Sequence, residues 1–130
     1  MYEILRRRLK GDFTKQDVKK AADAAYAEYD LYMRACRAIG DKFLKLAGEQ
    51  NKPVIVLAGR PYHIDPEINH GIDELATTYG FCLITEDAVS YRMDREARHV
   101  LNQWTFQARM YNAARYVCTQ PDMQLVQLVS

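Results

Sequence analysis

Long apolar runs are missing from this 130-residue chain. None approaches the ~18 residues needed to cross a bilayer, and the first residues lack the apolar core of a signal peptide. Cysteine is scarce: Cys36, Cys82 and Cys118 are widely separated and odd in number. No pair has the C-x-x-C spacing of a metal or redox site, so they read as buried thiols in a reducing compartment. An iron–sulfur cluster takes about four thiolates, more than this chain supplies. A charge excess is missing too. The net charge of +1 gives no field that gathers nucleic acid or an acidic membrane. The basic group Arg6, Arg7, Arg8 and Lys10 fits a solvated helix face rather than a basic stripe across a whole surface. Repeats and low-complexity segments are absent. Together these absences predict a soluble, cytoplasmic protein with no metal site and no nucleic-acid or membrane partner.

The composition that remains is that of a globular domain. At 48% hydrophobic and 27% charged residues, the chain can bury one sizeable core, and its length does not reach two. Residues 2–10 form a short helical pattern that Gly11 stops. Thr14 to Asp17 then resembles a capping box, with an acid three places after a hydroxyl. The stripe Val18, Ala22, Ala25, Tyr29, Tyr32, Cys36, Ile39, Phe43, Leu46 follows, in steps of three and four. A single helix over 14–48 would be about 50 Å long at 1.5 Å per residue, longer than a small domain is wide. It therefore needs a partner chain or a neighbouring domain to lean on; a kink at Gly40 is the alternative.

Val54 to Ala58 is an uninterrupted β-branched-rich run, the pattern of a strand buried on both faces. Asp65-Pro66 opens a helix, with Asp65 as N-cap and Pro66 at the first helical position. Ile68, Ile72, Leu75 and Ala76 give it a buried face, and Gly80 ends it. Phe81 to Thr85 reads as a second strand, 87–94 as irregular, Arg95 to Thr119 as a helix carrying Leu101 and Trp104, and Leu125 to Val129 as a third strand. Strands joined through helices are parallel. The fold class predicted is α/β: a three-stranded parallel Rossmann-like sheet in order 2-1-3, with flanking helices and a long N-terminal helix. The organisation expected is a helical segment over 1–50 and a Rossmann-like half-domain over 51–130. With a parallel strand as its final element, that half-domain is expected to be truncated at its C-terminus.

Open parallel sheets bind ligands outside the carboxyl ends of their strands. Three segments are expected there: Arg60 to His70, Glu86-Asp87 and Ser130. Arg60 beside a helix start suits a phosphate or carboxylate, although Asp65 and Glu67 already place negative charge at that start. His63, Asp65, Glu67 and His70 lie within eight positions, but helical geometry splits them as metal ligands. His63 or His70 facing Glu86 or Asp87 would be the acid–base candidates, against a plainer reading in which the prolines set the loop and Tyr62 packs. His99 is expected to be exposed, and Trp104 to pack in a core or interface. The candidate ligand-binding residues are Arg60, Tyr62, His63, Asn69, His70, Glu86 and Asp87; no catalytic residue is assigned.

The run Gly59-Arg60-Pro61-Tyr62-His63-Ile64-Asp65-Pro66-Glu67-Ile68-Asn69-His70-Gly71 resembles a segment of the CoA-substrate-specific enzyme activases, relatives of the 2-hydroxyacyl-CoA dehydratase system. Thr85 to Val89, Gln103-Trp104 through Arg109, Ala114 and Leu125 to Leu128 resemble the same family, so the likeness spans about residues 3–130. It implies a parent protein that joins ATPase activator modules to a dehydratase-like region with [4Fe–4S] clusters. In that family a Phe-Gly-Cys-Gly stretch resembling a cluster ligand follows the third strand. Neither ATPase phosphate loops nor cluster cysteines occur in this chain. The expectation is an excised domain without cofactor or turnover of its own, whose partners are the remaining domains of the parent. A CoA or phosphorylated-metabolite binding module and a homodimer through the long helix are the alternatives.

Overall fold

The computed structural model describes residues 1–94 and 104–129. Its elements run α1 (Tyr2–Arg8), α2 (Lys15–Glu49), β1 (Val54–Ala58), α3 (Pro66–Asn69), α4 (Ile72–Thr78), β2 (Cys82–Thr85), α5 (Thr105–Val117) and β3 (Met123–Gln127). Short 3-10 turns occupy Pro61–Ile64, Glu86–Ala88 and Ser90–Arg92. The chain divides into two compact units, Met1–Ala35 and the remainder from Cys36. No helix among the described residues is long and apolar enough to cross a membrane.

In the first unit, α1 is followed by a reciprocal cap on α2. The Thr14 N–H donates to Asp17 Oδ2 at 2.8 Å, and the Asp17 N–H donates to Thr14 Oγ1 at 3.2 Å. Each bond satisfies an amide that the helix itself leaves unpaired. Tyr2 and Phe13 meet edge to face at 5.9 Å, which closes the loop between the two helices.

The second unit holds the sheet, parallel throughout and in order β2-β1-β3, as the sequence predicts. Val54 pairs with Cys82 on one side and Met123 on the other, so β1 is the central strand. Its burial matches that position, with Val56 inaccessible. The core joins Val54 and Val56 to Ile84 of β2, Ala47 of α2, and Ala113 and Val117 of α5.

The helix α2 is unbroken at Gly40. A Cβ there would lie 2.5 Å from the Ala88 Cβ, so the glycine serves close approach, not a kink. Gly40 and Ala47 are buried and Leu44 is half-buried, whereas Ile39, Phe43 and Leu46 of the expected stripe stay exposed. The packed side is displaced by one residue because small side chains admit the helix to its neighbours.

The single helix expected after Asp65 is corrected to two. His70 and Gly71 both have positive φ, 55° and 78°, and the Gly71 N–H donates to Asn69 Oδ1 at 2.8 Å. That local bond competes with helix continuation. The expected buried face is lost with it: Ile68 and Leu75 are exposed, and Ala76 alone of the four is buried. The third strand lies two residues earlier than expected, and Trp104, at the N-cap position of α5, is 64% exposed and so lies outside the core. Residues 95–103, with the helical start expected there and His99 and Leu101, lie outside the described residues, as does Ser130.

Candidate functional site

Strand order creates the site. The chain leaves β1 for β2 on one side and reaches β3 on the other, so the carboxyl ends of β1 and β3 border a topological switch point. A cleft of about 550 Å³ opens there. Ala58 and Gln127, register partners at the ends of β1 and β3, form its floor. Arg60 follows β1 at its rim, and Trp104, Phe106 and Tyr111 supply aromatic surface at and beyond the start of α5.

Among the described residues that line this cleft, Arg60 is the one that carries charge. Its backbone is fixed by an N–H donated to His63 Nδ1 at 3.0 Å, while its side chain is exposed and makes no ion pair among the described residues. A planar guanidinium in that state suits two oxygens of a phosphate or carboxylate.

The α5 wall is braced from behind. Glu86, at the carboxyl end of β2 and 5% exposed, accepts a hydrogen bond from Arg109 Nη2 at 2.8 Å. The Arg109 guanidinium lies 4.8 Å from the centre of the Phe106 ring, and Phe106 faces the cleft. Burial raises the Glu86 carboxyl above its ordinary range; Arg109 opposes that shift, and neighbouring Asp87 adds to it.

The remaining candidates do not line this cleft. His63 is buried, and because Nδ1 accepts the Arg60 N–H, its hydrogen sits on Nε2, which has no partner among the described residues. Its ring also lies against Gly59, where a Cβ would come within 2.5 Å of Nδ1. Asn69 is buried, with Oδ1 committed to Gly71. Asp65 caps α3 through the Glu67 N–H at 2.9 Å, Asp87 accepts from Thr85 Oγ1, and His70 is exposed at the left-handed turn. Tyr62 is 43% exposed and touches His63 edge to face. No hydrogen bond joins either histidine to Glu86 or Asp87 among the described residues. Of the seven candidates, the structure brings Arg60 to the cleft and Glu86 behind its wall.

The sequence reading left Trp104, Tyr111 and Gln127 out of the site. The signal for Gln127 was its place near the end of the third strand; the aromatics had only helical spacing.

The donor set does not suit an iron–sulfur cluster. Cys36 lies on α2, Cys82 opens β2 and Cys118 ends α5, and no group of three or more potential ligands that could hold a metal occurs among the described residues. Burial also raises the Cys82 thiol, away from the thiolate a metal needs.

A family model described as CoA enzyme activase uncharacterised domain matches residues 1–89. The match includes β1, Arg60, β2 and Glu86, and ends before α5 and β3. No curated protein and no solved structure matches the chain.

Proposed function

The chain belongs to the CoA enzyme activase uncharacterised domain family, and we propose that it works as one domain of a dehydratase-like iron–sulfur protein, lending a wall to a ligand site without turnover of its own. The observation that carries this reading is the cleft at the β1/β3 switch point, with Arg60 at its rim. The described lining offers a binding surface without a nucleophile or a tuned acid–base pair, which supports a reading in which chemistry falls to other parts of such a protein. On this reading the [4Fe–4S] cluster and ATP belong to those parts; the three cysteines here sit on separate elements, which supports the assignment of the cluster elsewhere. Ile39 and Phe43, exposed on the part of α2 that belongs to the second unit, offer surface for neighbouring domains or a second copy. Assays of ATP hydrolysis and of 2-hydroxyacyl-CoA dehydration test the reading: the isolated chain is expected to be inert in both, and turnover in either contradicts it.

One observation favours a second reading, a binding module for CoA or a phosphorylated metabolite. The cleft combines Arg60 with the aromatic faces of Trp104 and Phe106, which suits a phosphate joined to a planar ring. Trp104 is the only tryptophan in the chain, so its fluorescence reports this cleft alone. Titration with CoA is expected to change that emission saturably, with at least tenfold weaker binding in Arg60→Ala. Emission unchanged by CoA, or unaltered affinity in the variant, contradicts this second reading.

A further inference from the structure

The first unit carries a second concave surface. An apolar groove of about 420 Å³ runs between α1 and the start of α2, lined by Met1, Leu5, Leu9, Phe13, Val18 and Ala22. Met1 is 83% exposed and Leu9 56%, so the groove's apolar lining faces water. The α1 wall carries Arg6, Arg7 and Arg8 in its last turn. Over residues 1–23, seven lysines and arginines stand against four acids, a local charge of +3 in a chain whose total is +1, with Lys19 paired to Asp23 at 2.7 Å. Asp17, the one acid in the groove lining, accepts hydrogen bonds from the Thr14 N–H and hydroxyl; these hold its carboxyl below the ordinary range, so it keeps its negative charge within the Thr14 cap. Arg6, Arg7, Arg8 and Lys10 are exposed and make no ion pair among the described residues.

The geometry points to this groove as a docking site for an acidic amphipathic helix of a partner protein. A groove between two helices accepts a ridge of side chains spaced three and four apart, the helix-in-groove mode. The cationic border then faces the partner's acidic flanks, which steers encounter and fixes orientation. A membrane surface fits less well, because interfacial binding needs an apolar face that protrudes into the headgroup layer, and here the lining is concave.

The test uses the full chain and a labelled 15-residue helical peptide with leucines at i, i+3, i+4 and i+7 and glutamates on its other face, read by anisotropy. Saturable binding that weakens as salt rises is expected. Arg8→Glu and Leu9→Gln, both at exposed positions, are each expected to weaken it at least tenfold, with helix content unchanged by circular dichroism. A counterpart peptide with lysine for glutamate, and vesicles of mixed phosphatidylglycerol and phosphatidylcholine, are expected to bind at least tenfold more weakly. The inference is overturned by absence of binding, by equal affinity for the lysine peptide, by unchanged binding in either variant, or by preference for the vesicles.

Discussion

The turns after β1 and β2 and the cleft between β1 and β3 belong to the same edge of the sheet, yet they use polar residues in opposite ways. In the turns the polar atoms are spent on the fold: His63 takes the Arg60 N–H, Asn69 takes the Gly71 N–H, Asp65 takes the Glu67 N–H and Glu86 takes Arg109. In the cleft the Arg60 guanidinium makes no ion pair among the described residues, beside aromatic side chains. A polar-rich segment at a strand's carboxyl end therefore does two jobs. Part of it builds the turn, and the residue it holds outward is the one available to a ligand.

Breaking the turns should cost stability, and breaking the cleft should cost binding. The largest effect is expected from Arg109→Met, which leaves the Glu86 carboxyl buried without its partner; urea unfolding should show a loss of about 3 kcal/mol. Gly59→Ala comes next. Its Cβ would overlap the His63 ring, and displacing that ring breaks the Arg60 N–H bond, for a loss of about 2 kcal/mol by the same measurement. Arg60→Ala sits at the other end of the scale, with a stability change below about 0.5 kcal/mol at an exposed position.

The pH response sharpens the same contrast. A carboxyl whose folded value is raised binds its proton at higher pH in the native state than in the unfolded chain, so stability falls as pH rises through that interval. For Glu86 the interval begins at the ordinary glutamate range and extends upward to the raised value. Thermal melts from pH 4 upward should show wild type losing stability relative to Glu86→Gln. A difference between the two that stays flat with pH would contradict the buried-carboxylate account.

Much of the frame was legible because local signals agreed. Val54 to Ala58 announced the central strand by its unbroken apolar run, Asp65-Pro66 marked a helix start, and Thr14 with Asp17 marked another. The break at His70-Gly71 was hidden by Ile68, Ile72 and Leu75, whose spacing continues a helix that the Asn69 side chain interrupts. Periodicity also selected the bulky stripe of α2, whereas packing used Gly40 and Ala47, because close approach rewards small residues. Of the cleft lining, Arg60 was among the residues singled out in the sequence, and Glu86 behind the wall was another. The Glu86–Arg109 pair joins residues 23 apart, and the aromatic wall meets Arg60 only once α5 is laid against β1 and β3. Neither relation exists in local sequence.

The most direct test of the central claim is an amide and indole chemical-shift map of the ¹⁵N-labelled chain during titration with CoA. If the cleft is the ligand surface, shifts will concentrate at Ala58, Arg60, Gln127 and the Trp104 indole. Shifts confined to His63 through Gly71 and Glu86-Asp87, with the cleft silent, would contradict the account.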